Sequence, residues 1–139
     1  MLDNPAALPA AFRAVDRAVA RLQQLSSWRR YAVAFGSGGL ATLSLPPVDF
    51  LLALILGMTG FVWLLEGVCD RRWACFALGW WFGFGFFAFG LYWIGNALLV
   101  FGEKHAWMLP IATVVLPGFL ALFTAVAALV AGFARGRVA

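Results

Sequence analysis

Two long stretches of this chain contain no charged residue at all: Trp73 to Phe101, and Ala106 to Phe133. The first runs for 29 residues and would rise about 43 Å as one helix. The hydrocarbon layer of a bilayer is about 30 Å thick and takes about 20 apolar residues to cross. A segment of either length that cannot solvate its backbone has one simple solution, a helix that satisfies its own hydrogen bonds in lipid.

The rest of the chain agrees. Of 139 residues, 64% are hydrophobic and 12% charged, whereas a soluble domain carries about 25% charged residues. Disorder requires low hydrophobicity and is excluded. The 15 glycines and 6 prolines fall at no fixed period, which excludes a collagen-like or repeat array. The expected fold class is therefore all-α: a polytopic membrane helix bundle of about four transmembrane helices, preceded by an amphipathic N-terminal helix.

Residues 1–30 form the basic N-terminal segment. Asp3-Asn4-Pro5 is a helix start signal. Phe12, Val15, Val19 and Leu22 then recur at helical spacing, with Arg13, Asp16, Arg17, Arg21 and Gln24 between them. Such a helix suits a membrane surface; a solvated tail is the alternative, and the sequence leaves both open. No signal peptide is expected here, because no apolar run is followed by a cleavage site.

The transmembrane domain is expected over 31–133, with spans at about 31–45, 50–66, 73–101 and 106–133, followed by a short basic tail at 134–139. The first span is short, at about 22 Å. It must begin earlier, thin the bilayer, or end in an irregular segment. Pro46-Pro47 stops it, since neither residue has an N–H to donate. The third span is too long and must tilt, kink or project. Pro110 and Pro117 are expected to kink the fourth.

Charge sets the orientation. With both termini cytoplasmic and the spans alternating, Arg13, Arg17, Arg21, Arg29, Arg30, Arg71, Arg72, Arg135 and Arg137 fall inside and only Lys104 outside. That is the asymmetry membrane insertion favours. The net charge of +4 is accounted for by these loops, and no nucleic-acid partner is implied.

The richest stretch for function is Gly79-Trp80-Trp81-Phe82-Gly83-Phe84-Gly85, continuing to Tyr92-Trp93-Ile94-Gly95-Asn96. Gly79 and Gly83 form a GxxxG pair, read here as a helix-packing contact. Tyr92, Trp93 and Asn96 share a helical turn near the outer end of the span. An Asn at that depth needs a partner: it lines a polar groove for a lipid headgroup together with Tyr92 and Trp93, caps a neighbouring helix, or sits at headgroup depth. His105 beside Glu103 has no aligned catalytic partner. Cys69 and Cys75 flank the Arg71-Arg72 loop and read as structural or lipid-modified, while Glu66 and Asp70 read as loop anchors for the arginines. No metal-ligand spacing occurs, no cofactor is implied, and no catalytic residue is assigned. A coupled transporter would need a charge within a span.

Leu45-Pro46-Pro47-Val48-Asp49-Phe50, the Arg71-Arg72 loop, the Gly-aromatic run into Gly90-Leu91-Tyr92-Trp93-Ile94-Gly95-Asn96-Ala97, Ala106-Trp107 with Leu109-Pro110, and Leu116-Pro117-Gly118 with Leu120 to Thr124 together resemble the N-terminal membrane region of bacterial apolipoprotein N-acyltransferases. The likeness runs from about Tyr31 to Phe133. It implies an inner-membrane protein acting on membrane phospholipid and a lipoprotein substrate. In that family an acyl chain passes from phospholipid to a Cys thiolate, and the thioester is then attacked by the α-amino group of the lipoprotein's lipidated Cys. A Glu serves as base and a Lys stabilises the oxyanion. Those residues belong to a periplasmic nitrilase-like domain, and neither Cys69 nor Cys75 maps to the nucleophile. The expectation is a fragment lacking its C-terminal half and inactive alone; whether to class the chain as an enzyme stays open. The alternative is a free-standing small membrane protein that acts as a subunit or assembly partner, or self-associates, through helix packing.

Overall fold

The computed structural model describes residues 10–46, 48–68, 71–92 and 107–135. The regular structure among the described residues is all helical, with no strand. Helix α1 spans Ala10–Gln23, α2 Ser27–Ala41, α3 Leu51–Glu66, α4 Arg72–Gly90 and α5 Leu116–Arg135. A 3-10 turn at Thr42–Ser44 extends α2, and a π turn at Ile111–Val115 leads into α5. The expected start signal Asp3-Asn4-Pro5 lies outside the described residues.

Two helical stretches are long and apolar enough to cross a membrane, Arg72–Gly90 and Ile111–Ala134. They rise about 28 and 36 Å. Only 33% of the first and 22% of the second is buried within the bundle, so neither is a sheltered core helix of the soluble kind. Helix α3 is equally apolar but has 16 residues. Helix α4 ends at Gly90, where Leu91 caps it by donating its N–H to the Phe87 carbonyl at 2.9 Å. Beyond Tyr92 the long stretch expected to 101 falls outside the described residues. Helix α2 begins earlier than the hydropathy suggested, at Ser27, and its far end is the irregular 3-10 turn.

Helix α4 is the spine. It packs against α5 on one side and α2 on the other; α3 lies chiefly against α2, and α1 rests on α3. Glycine explains how one aromatic-rich helix serves two neighbours. Successive residues are about 100° apart on a helix, so Gly83 and Gly85 face nearly opposite ways. A Cβ at Gly83 would fall on the Thr124 side chain and 3.0 Å from Ala121 Cα, both on α5. A Cβ at Gly85 would fall against the Phe35 backbone of α2, 3.2 Å from its Cα. Helix α2 answers with Gly38, where a Cβ would lie 2.8 Å from the Phe86 nitrogen. The α2–α3 contact repeats the device: a Cβ at Gly57 would lie 2.6 Å from the Ser37 carbonyl. In lipid, where apolar side chains gain little by leaving the solvent, such close backbone approach is a main source of helix association.

The α4–α5 seam also carries polar bonds. The Thr124 hydroxyl sits 2.9 Å from the Gly79 carbonyl of α4 and 2.8 Å from the Ala121 carbonyl of its own helix, so one proton is shared between two acceptors. The Trp80 indole N–H donates to the Gly118 carbonyl at 3.2 Å. Pro117 is buried in this packing. It lacks an N–H and its ring would press on the carbonyl four residues back. The chain widens before it: the Leu116 N–H bonds back to Ile111, closing a π turn. The proline expected to kink this helix is thus preceded by a wide turn.

Between α2, α3 and α4 a small core forms around Ala34, Leu64, Leu78 and Phe82. The Phe61 ring of α3 stacks on Phe82 with centroids 4.3 Å apart.

Candidate functional site

Helices α2 and α4 run in the same direction, and α3 and α5 run against them. Arg29, Arg30, Arg71 and Arg72 therefore gather at one end of the bundle. At the opposite end the 3-10 turn after α2 meets the end of α4, and a cleft of about 420 Å³ opens between them.

The local sequence builds this cleft. After Ala41 the α2 backbone tightens, and short polar side chains take up its last carbonyls. Thr42 Oγ1 donates to the Gly39 carbonyl, and Ser44 Oγ to the Ala41 carbonyl at 2.8 Å. Pro46 bars further helix. The chain then reverses through Asp49, a non-glycine residue with φ of 50°. That left-handed geometry is tolerated better by Asp than by most side chains. The Phe50 N–H donates back to the Leu43 carbonyl at 3.0 Å and closes the hairpin. One wall of the cleft is Thr42, Leu43, Leu45, Pro46 and Val48; the other is Phe89, Gly90 and Tyr92.

The candidate residues distribute unevenly. Tyr92 lines the cleft and is 66% exposed. Trp93 and Asn96 lie outside the described residues, as do His105, Glu103, Lys104, Cys69 and Asp70. Gly79 and Gly83 are buried at the α4–α5 seam, where a Cβ at Gly79 would sit 2.6 Å from Ala128 Cβ. They are therefore far from the cleft along α4. Cys75 is also buried, at the arginine end, with its thiol 3.4 Å from the Val68 carbonyl. Thr42 was not singled out in the sequence, and Phe89 only as part of the Gly-aromatic run. The Leu-Pro-Pro-Val-Asp turn was, as a helix stop and as part of the family resemblance, but its pairing with the end of α4 is a long-range contact.

Chemically the cleft is predominantly apolar. Its walls are aliphatic and aromatic, the Thr42 hydroxyl is already engaged, and its polar element is the Tyr92 phenol. No cluster of three His, Cys, Asp or Glu that could hold a metal occurs among the described residues. The described lining presents no nucleophile with a base beside it.

Helix α4 and the stretch into α5 are long and apolar enough to cross a membrane, and they belong to a helical bundle packed through small residues with an apolar cleft at one end. Residues 37–138 match the model of the apolipoprotein N-acyltransferase N-terminal domain. The chain belongs to that family. It is 45% identical over 125 residues to an apolipoprotein N-acyltransferase of Allorhizobium ampelinum, covering 84% of this chain and 24% of that protein. The enzyme of the same name from Brucella suis is 46% identical over 125 residues, with the same coverage. That of Rhodopseudomonas palustris is 43% identical over 115 residues, 80% of this chain and 20% of the relative. The chain thus spans about a quarter of the length of these relatives. No solved structure matches it.

Proposed function

We propose that this chain is the membrane scaffold of an apolipoprotein N-acyltransferase and that its far-end cleft holds an acyl chain of the phospholipid donor. The observation that carries the reading is the position of the cleft. It is apolar, it opens at the end away from the arginines, and its wall includes Tyr92, the residue that leads into Trp93 and Asn96. In this reading those three residues line the lipid groove, and the loop from Gly102 to Trp107 faces the domain that performs the chemistry. The lipoprotein substrate would be met there.

The proposed topology is four spans in the bacterial inner membrane with both termini cytoplasmic. Segregation of arginines at one end supports it, since basic loops stay inside. Helices α2 and α3 would then be short spans, tilted little and thinning the bilayer beside them. A membrane-impermeant maleimide added to intact cells should leave Cys69 unlabelled and label it after permeabilisation; labelling of intact cells would overturn the orientation.

The 139 residues by themselves are proposed not to transfer acyl groups, because the described cleft can position a chain but offers no thiol to attack it. Incubating the purified chain with radiolabelled phospholipid and a diacylated lipoprotein should give no triacylated product. Transfer above background would sink this part of the reading.

The alternative, a free-standing subunit that acts through helix packing, draws on the outer face of α5, where Phe119, Phe123, Val126 and Val130 are all exposed. It requires a defined partner or self-association. A monodisperse, partnerless chain in detergent would count against it.

A further inference from the structure

The arginine end carries a second site, distinct from the cleft at Tyr92. Between α2 and α4 a groove of about 350 Å³ is walled by Trp28, Tyr31, Ala32, Phe35 and Trp81. It is almost wholly apolar, and its rings are held by neighbours: Phe35 meets Trp81 edge-on at 6.4 Å, and Trp81 meets Trp80 at 5.1 Å. Beside it lies a second cleft of about 570 Å³, walled by Tyr31, Arg71, Arg72, Trp73 and Ala74. Tyr31 is common to both, so the apolar groove and the basic cleft lie side by side.

We infer that this composite groove binds one anionic phospholipid, with its phosphate at Arg71 and Arg72 and an acyl chain along Phe35 and Trp81. Three observations argue for that occupant. Charge is the first: the ends of α2, α3 and α4 at this side bring Arg29, Arg30, Arg71 and Arg72 against a single described carboxylate, Glu66. The second is that one of the two lining arginines is held in place. The Arg72 guanidinium lies over the Phe133 ring of α5, 4.6 Å from its centroid, a cation–π contact that fixes it at the rim of the cleft it lines. Depth is the third. Trp28 and Trp73 are 69% and 83% exposed at this end, as tryptophans at headgroup level are. An arginine pair at headgroup depth above an apolar groove matches the two halves of a phospholipid, and basic pockets between membrane helices favour anionic headgroups. The inference rests on the chain lying in a membrane and is independent of acyl transfer.

The test is lipid retention by the full 139-residue chain in detergent, followed by native mass spectrometry during titration with phosphatidylglycerol or phosphatidylethanolamine. Phosphatidylglycerol should bind about tenfold more tightly. Arg71→Gln with Arg72→Gln should bring the two lipids to within about twofold of each other, while Arg17→Gln, which removes the same kind of charge from α1 and lines neither cleft, should leave the preference intact. Trp81→Ala should weaken both lipids alike. Equal binding of the two lipids by the unaltered chain would overturn the proposal without any variant having to fold. So would an equal loss from Arg17→Gln, which would mean a diffuse basic surface, or displacement of the lipid by equimolar glycerol 3-phosphate, which would remove the role of the groove. Failure here leaves the far-end cleft and its acyl chain untouched, because the two sites share no residue.

Discussion

The α4–α5 pair and the α2–α3 hairpin are both antiparallel helix pairs in one bundle, yet they are built for different ends. The first is long and closed. Its seam is a row of small residues on both helices, Cys75, Gly79 and Gly83 facing Ala121, Ala125, Ala128 and Gly132, stitched by Thr124 and Trp80. The second pair has helices of 15 and 16 residues, and it stops early in a 3-10 turn and a left-handed aspartate. Because the short hairpin ends where α4 is also ending, it leaves a slot instead of a seam. Length and small-residue packing make a closed spine; a shortfall in length beside that spine leaves a cleft.

The contrast can be broken most severely at the spine. Gly83→Leu would drive its side chain into Thr124 and the α5 backbone, and overpacking of this kind costs about 3 kcal/mol. We expect loss of the monodisperse species and a large drop in melting temperature in detergent. Gly36 is the matched control, since a Cβ there meets nothing within 4 Å; Gly36→Ala should be neutral or gain about 0.5 kcal/mol through reduced chain entropy. If both glycine variants melt alike, the seam is not where the bundle is held.

At the hairpin, Asp49→Val places a β-branched residue at a φ of 50°. The expected cost is about 1–2 kcal/mol, with Asp49→Gly at least as stable as the parent. Loss of lipid binding at the Tyr92 cleft with α4–α5 cross-linking unchanged would separate the two regions directly. The smallest effect is expected from Thr124→Val, which keeps the shape and removes the bond to Gly79. Hydrogen bonds between helices in membranes contribute about 0.6 kcal/mol on average, so a shift of a degree or two in melting is the expected reading. A much larger shift would show that the polar stitch, and not the glycine fit, holds the spine.

Much of this was legible from residues in order. The uncharged stretches after Trp73 and after Ala106 announce membrane-length helices, and α4 and the run from Ile111 to Ala134 are where that pattern lies. Phe12, Val15, Val19 and Leu22 mark α1; of the side chains described there, Val19 and Leu22 are half-buried and Val15 is exposed. Pro46 marks the end of the first hairpin arm, but the helix tightens earlier, at Thr42, because hydroxyl side chains there compete for the last carbonyls. Tyr92 was singled out by its neighbours in sequence; that it shares a cleft with Leu45, Pro46 and Val48 was not legible, since they come from another helix pair.

Composition and spacing were enough to dictate that these helices form, that they are too apolar for water, and that glycines on α4 permit close neighbours. They did not say which neighbour each glycine meets. A missing side chain allows two backbones to touch but expresses no preference between them. That Gly83 meets α5 and Gly85 meets α2, and that a slot remains at Tyr92 and a groove at Trp81, follows only once all the helices are packed together, when the volume of each side chain is spent against the others.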